Sequence, residues 1–191
     1  MSERSPQQLQ EIEAIVSRCQ AGSSDSFAKL YDLFINPIYK YIFFRVGRGE
    51  AEDLTELVFL KTWENIRSYK SGTSSFSSWI FRIAHNIVVD HYRSKRPEEQ
   101  LDEQFQDFRR EANAMDRAHR RFDKDLLTHA MKELNDNYRQ IIILKYVNDL
   151  SNDEIAAITG RSHAALRILQ FRALRSLRQV LERMGFSDQN V

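Results

Sequence analysis

The chain has 191 residues, 42% of them hydrophobic and 29% charged, with a formal net charge of only +1. That length and apolar content accommodate one large domain or two small ones with real cores, and the near-neutral balance excludes any argument for nucleic-acid affinity from bulk charge. A single cysteine, Cys19, excludes an intramolecular disulfide and leaves a zinc site short of ligands, so its expected role is packing.

The opening residues, MSERSPQQLQEIE, lack the apolar core of a signal peptide, and no apolar run approaches membrane-spanning length. We expect a cytosolic chain with no membrane insertion. Six glycines, three prolines and little β-branched alternation accompany helical periodicity in almost every segment. The expected fold class is all-α.

A first helix is predicted over 7–20, with Ile12, Ile15 and Val16 on one face. The stretch AGSSDS breaks it, and Ser24 or Asp25 caps a second helix through Phe27, Leu30, Tyr31 and Phe34. Pro37 suits the first turn of another helix, PIYKYIFFRVG, which Gly47 and Gly49 end. Glu50, Glu52 and Asp53 then start EAEDLTELVFLKTWENI, their charges matching the positive end of the helix dipole. A polar loop, YKSGTSSFSS, precedes the helix WIFRIAHNIVVDHYRSKR, and Pro97 stops it.

Charge is uneven. Residues 97–125 carry six Lys/Arg against nine Asp/Glu, and 98–121 are poor in large apolar side chains, which marks a charged linker. It is either a flexible tether or a solvated helix packed on one domain. The expected division is a domain over 1–97, the linker over 98–121, and a domain over 122–191. In the last, DKDLLTHAMKEL and DNYRQIIILKYVND read as helices, with Ile142, Ile143 and Tyr146 as core candidates.

Next, Ser151 and Glu154 form a capping-box pair in front of a short helix that Gly160 stops, and Ser162 caps a long last helix. Ile155, Ala156 and Ile158 face inward from the short helix, and Leu166, Leu169 and Ala173 from the long one. The outer face of the latter carries His163, Ala164, Arg167, Ile168, Phe171 and Arg172. Between Arg161 and Arg178 there are five arginines and no acid. A short helix, a tight turn and a helix that can enter the major groove define a helix-turn-helix. Arg167 can bond guanine in bidentate fashion, and Ile168 or Phe171 can touch a thymine methyl. Arg161, Arg172, Arg175 and Arg178 can meet phosphates. Taken alone, the stretch also fits an amphipathic helical hairpin with a solvated arginine face.

Three stretches in order resolve that ambiguity: AEDLTELVFLKTW, FSSWIFRIAHNIVVDHYRSKR, and MKELNDNYRQIIILKYVNDLSNDEIAAITGRSHAALRILQFRALRSLR. Together they resemble the sigma-70 family of bacterial transcription initiation factors, in its small extracytoplasmic-function (ECF) group. The resemblance implies two helical domains joined by a linker: a region 2-like bundle and a region 4-like helix-turn-helix. It implies core RNA polymerase and promoter DNA as partners, and an anti-sigma factor that holds the protein inactive.

On the first stretch, the resemblance makes Asp53, Glu56, Phe59, Lys61 and Trp63 the candidate polymerase-binding residues. Leu54, Val58 and Leu57 pack inward, and Phe59 or Trp63 lies near the rim. On the second, Phe76, Arg82, Asn86, His91, Arg93, Lys95 and Arg96 are the candidates for minus-ten recognition and melting. Aromatic stacking and a basic path are what holds an unpaired strand. Trp79 is expected in the core, where the family usually buries a tryptophan. On the third, the minus-thirty-five candidates are Arg161, Ser162, His163, Arg167, Ile168, Phe171, Arg172 and Arg175.

The chain departs from the family pattern at Glu56, where Gln is common, and at Leu57, where Glu is common. Leu134-Asn135 replaces a usual Leu-Pro, with Asn135 or Asp136 left as the cap. No phosphate-binding glycine loop, nucleophile motif or metal-ligand set is present, so neither catalysis nor a cofactor is expected. Two other readings have distinct signatures. A helix-turn-helix regulator binds duplex operators without polymerase, and a titrating protein binds its partner without supporting initiation.

Overall fold

The computed structural model describes residues 5–94 and 126–186, all in helices, turns and short connections. The linker and the candidates Lys95 and Arg96 lie outside the described residues.

Helix α1 spans Pro6–Gln20. Its start is a capping box in which Gln8 N donates to Ser5 Oγ (3.2 Å) and Ser5 N to Gln8 Oε1 (2.9 Å). Ile12, Val16 and Cys19, spaced four and three apart, form its buried stripe. Cys19 is thus a packing residue, and burial pushes its thiol pKa up.

Helix α2 spans Ser24–Val46 as one helix where two were expected; Ser23 is its cap. Pro37 sits inside it. Proline there removes one backbone donor, which frees the carbonyl of Leu33 four residues back. Leu33 is on the solvent side, where water can take that carbonyl. On the opposite side Leu30, Phe34, Ile38, Tyr41 and Ile42 run in a single buried stripe through the proline. Continuous burial of that stripe outweighs one lost hydrogen bond. Gly47, at φ 90°, ends the helix with its N–H on Phe43 O (3.0 Å). Only glycine takes that conformation without strain.

Helix α3, Arg48–Asn65, follows at once, two residues earlier than expected, so Gly49 lies inside it rather than ending α2. It closes in a 3-10 turn, Ile66–Ser68. Gln20 Nε2 donates to the carbonyls of Ile66 (2.9 Å) and Tyr69 (2.8 Å), tying this turn to α1. Helix α4 spans Phe76–Ser94, and Ser75 Oγ accepts from Ser78 N (3.1 Å) at its start. Phe34, Tyr41, Phe76, Ile80 and Phe81 are the large buried side chains that unite α1–α4. Each aromatic truncated to alanine there costs about 3–5 kcal/mol.

Helix α5 covers 126–133. Arg139 caps its C-terminus, donating through Nε to Met131 O (2.7 Å) and through Nη2 to the carbonyls of Lys132 (2.8 Å) and Leu134 (2.9 Å). Helix α6, Asp136–Ile142, is capped by Asn135 and runs on as a π turn over Ile143–Val147. Ile142 and Ile143 are buried as expected, whereas Tyr146 is exposed: the wider π turn rotates it off the core face. Helix α7, Asn152–Thr159, and helix α8, His163–Arg183, complete the fold. Met131, Ile141, Leu144, Ile155 and Leu166 form the core of α5–α8.

The two helix groups touch. Helix α4 lies on α7, and α2 lies on α6 and the π turn.

Candidate nucleic-acid and protein interfaces

The turn between α7 and α8 is built by local chemistry. Ser151 Oγ accepts from Glu154 N (3.2 Å) while Glu154 Oε2 accepts from Ser151 N (2.9 Å). Gly160, left-handed at φ 68°, stops α7, and Ser162 Oγ accepts from Ala165 N (3.3 Å) to start α8. Ile155 and Ile158 meet Leu166 and Ala173 inside, all buried. Gln170 Nε2 donates to Asn152 Oδ1 (2.9 Å), fixing the crossing of the two helices.

The outer face of α8 is open. His163, Arg167, Ile168, Phe171, Arg172 and Arg175 are exposed, Ile168 at 55% and Phe171 at 68%. Among the described residues none of Arg167, Arg172 and Arg175 makes an ion pair, so their guanidinium groups stand in solvent. His163 Nε2 lies 3.3 Å from Asp153 Oδ1. Arg161 is half-buried and donates to Asn137 Oδ1 (2.8 Å), so it braces the turn as well as flanking the face. Arg178 is engaged with Glu182 (2.8 Å).

A second site lies at the start of α4. A cavity of about 400 Å³ is lined by Tyr69, Lys70, Thr73, Trp79, Arg82 and Asn86, with Ser68, Ser74 and Ile83. Tyr69 and Trp79 stand 5.6 Å apart, and Phe76 packs against both. The Tyr69 hydroxyl faces Glu13 Oε1 (2.6 Å) and Ser74 O (2.8 Å). Desolvation and the Glu13 carboxylate raise its pKa, so it stays a neutral donor. Two expectations exchange places here. Phe76 is 1% exposed and belongs to the core, while Trp79 is only partly buried and lines the cavity. Phe76 points inward because it is the first residue of α4 and falls on the stripe shared by Ile80 and Ala84.

Arg82, Asn86 and Arg93 are exposed on α4. His91 is not part of that path. Its Nε2 lies 2.8 Å from Glu50 Oε2, half-buried between α4 and α3.

The third surface is on α3. Asp53, Glu56, Lys61 and Trp63 are exposed, with Lys61 paired to Glu64 (2.8 Å). Phe59 is buried against Tyr31, ring centroids 4.6 Å apart, and cannot serve as a contact itself. Trp63 is 45% exposed with Phe27 against it at 4.8 Å, so the rim aromatic is Trp63. Leu57, expected inside, is exposed, and so is Leu60 at 52%. Helix α3 therefore carries apolar residues on two sides. Ala51, Thr55, Val58 and Thr62 form the buried side, and Leu57, Leu60 and Trp63 remain outside. Apolar residues on both sides of a surface helix are the signal that sequence reasoning missed at Leu60.

These surfaces coincide with two family matches. Residues 30–98 match Sigma-70 region 2, and residues 124–177 match Sigma-70, region 4. The ECF RNA polymerase sigma factor BldN of Streptomyces coelicolor is 33% identical over 170 residues, which cover 87% of this chain and 64% of that protein. SigM of Bacillus subtilis, also an ECF sigma factor, is 28% identical over 162 residues, covering 84% and 98%. The chain belongs to the ECF group of the sigma-70 family.

The fold of this ECF chain is shared with solved relatives. RpoE from Bartonella quintana, solved with the anti-sigma factor NepR, superposes with a TM-score of 0.69 at 22% identity, covering 82% of this chain and 96% of that one. CnrH, solved with the cytosolic domain of CnrY, gives 0.68 at 19%, covering 89% and 96%. The ECF chain spans about two thirds of the length of BldN and nearly all of SigM. No helix among the described residues is long and apolar enough to cross a membrane.

Proposed function

We propose that this chain is an alternative sigma factor that binds core RNA polymerase and directs it to promoters. The observation that carries the reading is the presence on one chain of two separate nucleic-acid chemistries. One is an arginine-bearing helix-turn-helix suited to duplex DNA; the other is a cavity at the start of α4, bordered by two aromatic rings, two cations and an amide. A regulator that binds operators needs only the first.

In this reading α8 enters the major groove at the minus-thirty-five element. Arg167, Ile168 and Phe171 meet base edges, and Ser162, His163, Arg172 and Arg175 grip or flank the backbone. The cavity receives a base from the minus-ten element. Trp79 stacks on it, Asn86 and Thr73 can bond its edge, and Lys70, Arg82 and Arg93 track the phosphates of the unpaired strand. Capturing an extruded base lets binding energy open the duplex without a nucleotide cofactor. Core polymerase docks on α3, with Leu57, Leu60 and Trp63 as apolar anchors and Asp53, Glu56 and Lys61 as the charged rim. Residues 1–97 and 122–191 act as two modules on the linker 98–121. An anti-sigma factor is a natural further partner, since the name of the RpoE complex describes such a pairing for a relative of the same fold.

The test is in vitro transcription with purified core polymerase and a promoter library. The reading expects a specific open complex and a transcript from a subset of promoters. Tight duplex binding by the chain alone, with no transcript from any promoter, would show an ordinary operator-binding regulator instead.

A further inference from the structure

The seam between the two helix groups contains a cavity that shares only Arg93 with the surfaces described above. Its volume is about 590 Å³, and it is lined by Arg45, Val89, Tyr92, Arg93, Asp136 and Arg139. That size is ordinary for a small-molecule pocket. Its charge is one-sided: three guanidinium groups face a single carboxylate, so two positive charges are in excess.

Arg45 of α2 forms the floor, with a side chain 1% exposed. Its Nη1 donates to the Tyr41 hydroxyl (3.2 Å), and its Nη2 meets Asp136 Oδ2 of α6 at 2.9 Å. Its Nε is buried and has no partner among the described residues. A buried donor without an acceptor costs stability, and it marks a place where an ion or solvent completes the bonding. Nε and Nη2 lie on one edge of the guanidinium, the edge that grips phosphate in bidentate fashion. Asp136 holds only Nη2, and its side chain is 57% exposed. An anion can therefore replace it on that edge, meeting both donors, while Asp136 turns to water.

Arg139 of α6 supplies the second cation. Its Nε and Nη2 are engaged with the carbonyls of Met131, Lys132 and Leu134, which fixes the group and leaves Nη1 for a ligand. Desolvation lowers its pKa, Tyr92 and Asp136 oppose that shift, and the Arg45 charge adds to it: the two guanidinium groups repel each other across the cavity. Arg93 of α4 stands at the mouth, 78% exposed, with Asp90 3.6 Å away in a pair that water screens. Val89 adds an apolar wall, and the Tyr92 hydroxyl donates to the Arg45 carbonyl beside it.

We propose that this cavity is a binding site for a small phosphate-bearing anion, held on Arg45 and Arg139 with Arg93 at the mouth. A phosphomonoester or pyrophosphate carries about two or more negative charges and matches the excess, whereas a monocarboxylate neutralises half of it. Its tetrahedral oxygens also reach donors on different sides of the cavity. The site does not depend on the sigma-factor reading.

The test is isothermal titration calorimetry on the full chain with pyrophosphate as the probe, at an ionic strength held constant with sodium chloride. The expected result is one saturable site. Arg139→Gln keeps an amide that can donate to the α5 carbonyls, and it should bind about tenfold more weakly, the worth of one charge-assisted bond. Asp136→Asn removes the carboxylate that competes for Arg45 and should bind about tenfold more tightly, a gain that unfolding cannot produce. Circular dichroism checks each fold, and Asp136→Asn alone decides if Arg139→Gln does not fold. No saturable site in the wild type, or an affinity unchanged in the folded variants, would overturn the proposal. A short single-stranded oligonucleotide serves as competitor. Displacement of pyrophosphate by an equimolar amount would also overturn it, by making the cavity part of the strand path, whereas undisturbed binding supports a separate small-anion site.

Discussion

Tyr69 and Trp79 stand 5.6 Å apart at an interplanar angle of 59°, so the indole borders the cavity with a tyrosine fixed behind it. That fixing comes from helix α1 and from the residues that lead into α4. Gln20 holds the Tyr69 carbonyl, Glu13 and Ser74 accept from its hydroxyl, and Phe76 packs edge-on at 5.5 Å. The pocket wall is rigid before any strand arrives.

Preorganisation of that kind makes the exposed residues at the mouth the ones to change. Arg82→Ala and Asn86→Ala are expected to leave thermal stability within about 0.5 kcal/mol of the wild type, as surface substitutions do. Together, as an amide bond to a base edge and a cation on a phosphate, they should be worth about 1–3 kcal/mol in open-complex formation. Permanganate footprinting of unpaired thymines, with duplex binding at the upstream element measured in parallel, checks this. Equal loss of both signals would count against a melting role.

Helix α8 yields a separable prediction. Arg167→Ala should cost about 1–3 kcal/mol in binding and relax preference at one base pair. Arg175→Ala should weaken binding to all sequences and flatten the dependence of log K on log salt by about one unit. Selection from randomised minus-thirty-five duplexes at two salt concentrations distinguishes the two. Neither substitution should alter affinity for core polymerase, because both side chains are remote from α3.

How far these sites were legible in the sequence depends on the kind of signal. The capping pair Ser151–Glu154, Gly160 and Ser162 locate α7 and α8 by local chemistry alone, and the structure shows each bond in place. The all-helical fold was equally plain. Pro37 misled because its local cost is real, yet the buried stripe from Leu30 to Ile42 carries the helix through it. Phe59, Phe76, Trp79 and Leu57 are a harder case. Each lies on a helix with apolar residues on more than one side, so periodicity cannot say which side meets the core. His91 reads as a DNA contact until Glu50, 41 residues earlier, is seen beside it. The cavity and the seam join residues distant in sequence, and no local pattern announces either.

The exposed apolar side of α3 leads to a third prediction. Leu60→Asp should abolish measurable binding to core polymerase with little effect on folding, since Leu60 is half exposed and its loss leaves no cavity. Trp63→Ala should also weaken binding, by about 2 kcal/mol or more for an aromatic anchor, with some destabilisation from the lost contact to Phe27. Changing Lys61 or Asp53 should chiefly alter the association rate and its salt dependence. Surface plasmon resonance with immobilised core polymerase separates these effects.

Acid should destabilise the packing around His85, where α4 meets α2 and α6. Desolvation first, and the Arg45 charge second, lower the His85 pKa below its ordinary 6.5, with Asp136 opposing. The groups around it are Tyr41 and Arg45 from α2, and Gln140 and Asp136 from α6. Burial drives the Tyr41 pKa up to about 12, so its hydroxyl remains a donor at every relevant pH. A proton on Nδ1 would confront that donor, the Gln140 amide and the Arg45 cation at once. The sign follows from linkage: the unfolded chain takes up a proton as pH falls through 6.5, and the folded chain does not. The folded chain is therefore favoured in full above 6.5 and loses that advantage from 6.5 downward, until its own lower pKa is reached. The thermal midpoint should fall as pH is lowered from 7.5 to 5.5. His85→Gln keeps a polar group and cannot titrate, so it should remove that part of the pH dependence of the midpoint. A variant that retained the full dependence would assign it to another histidine.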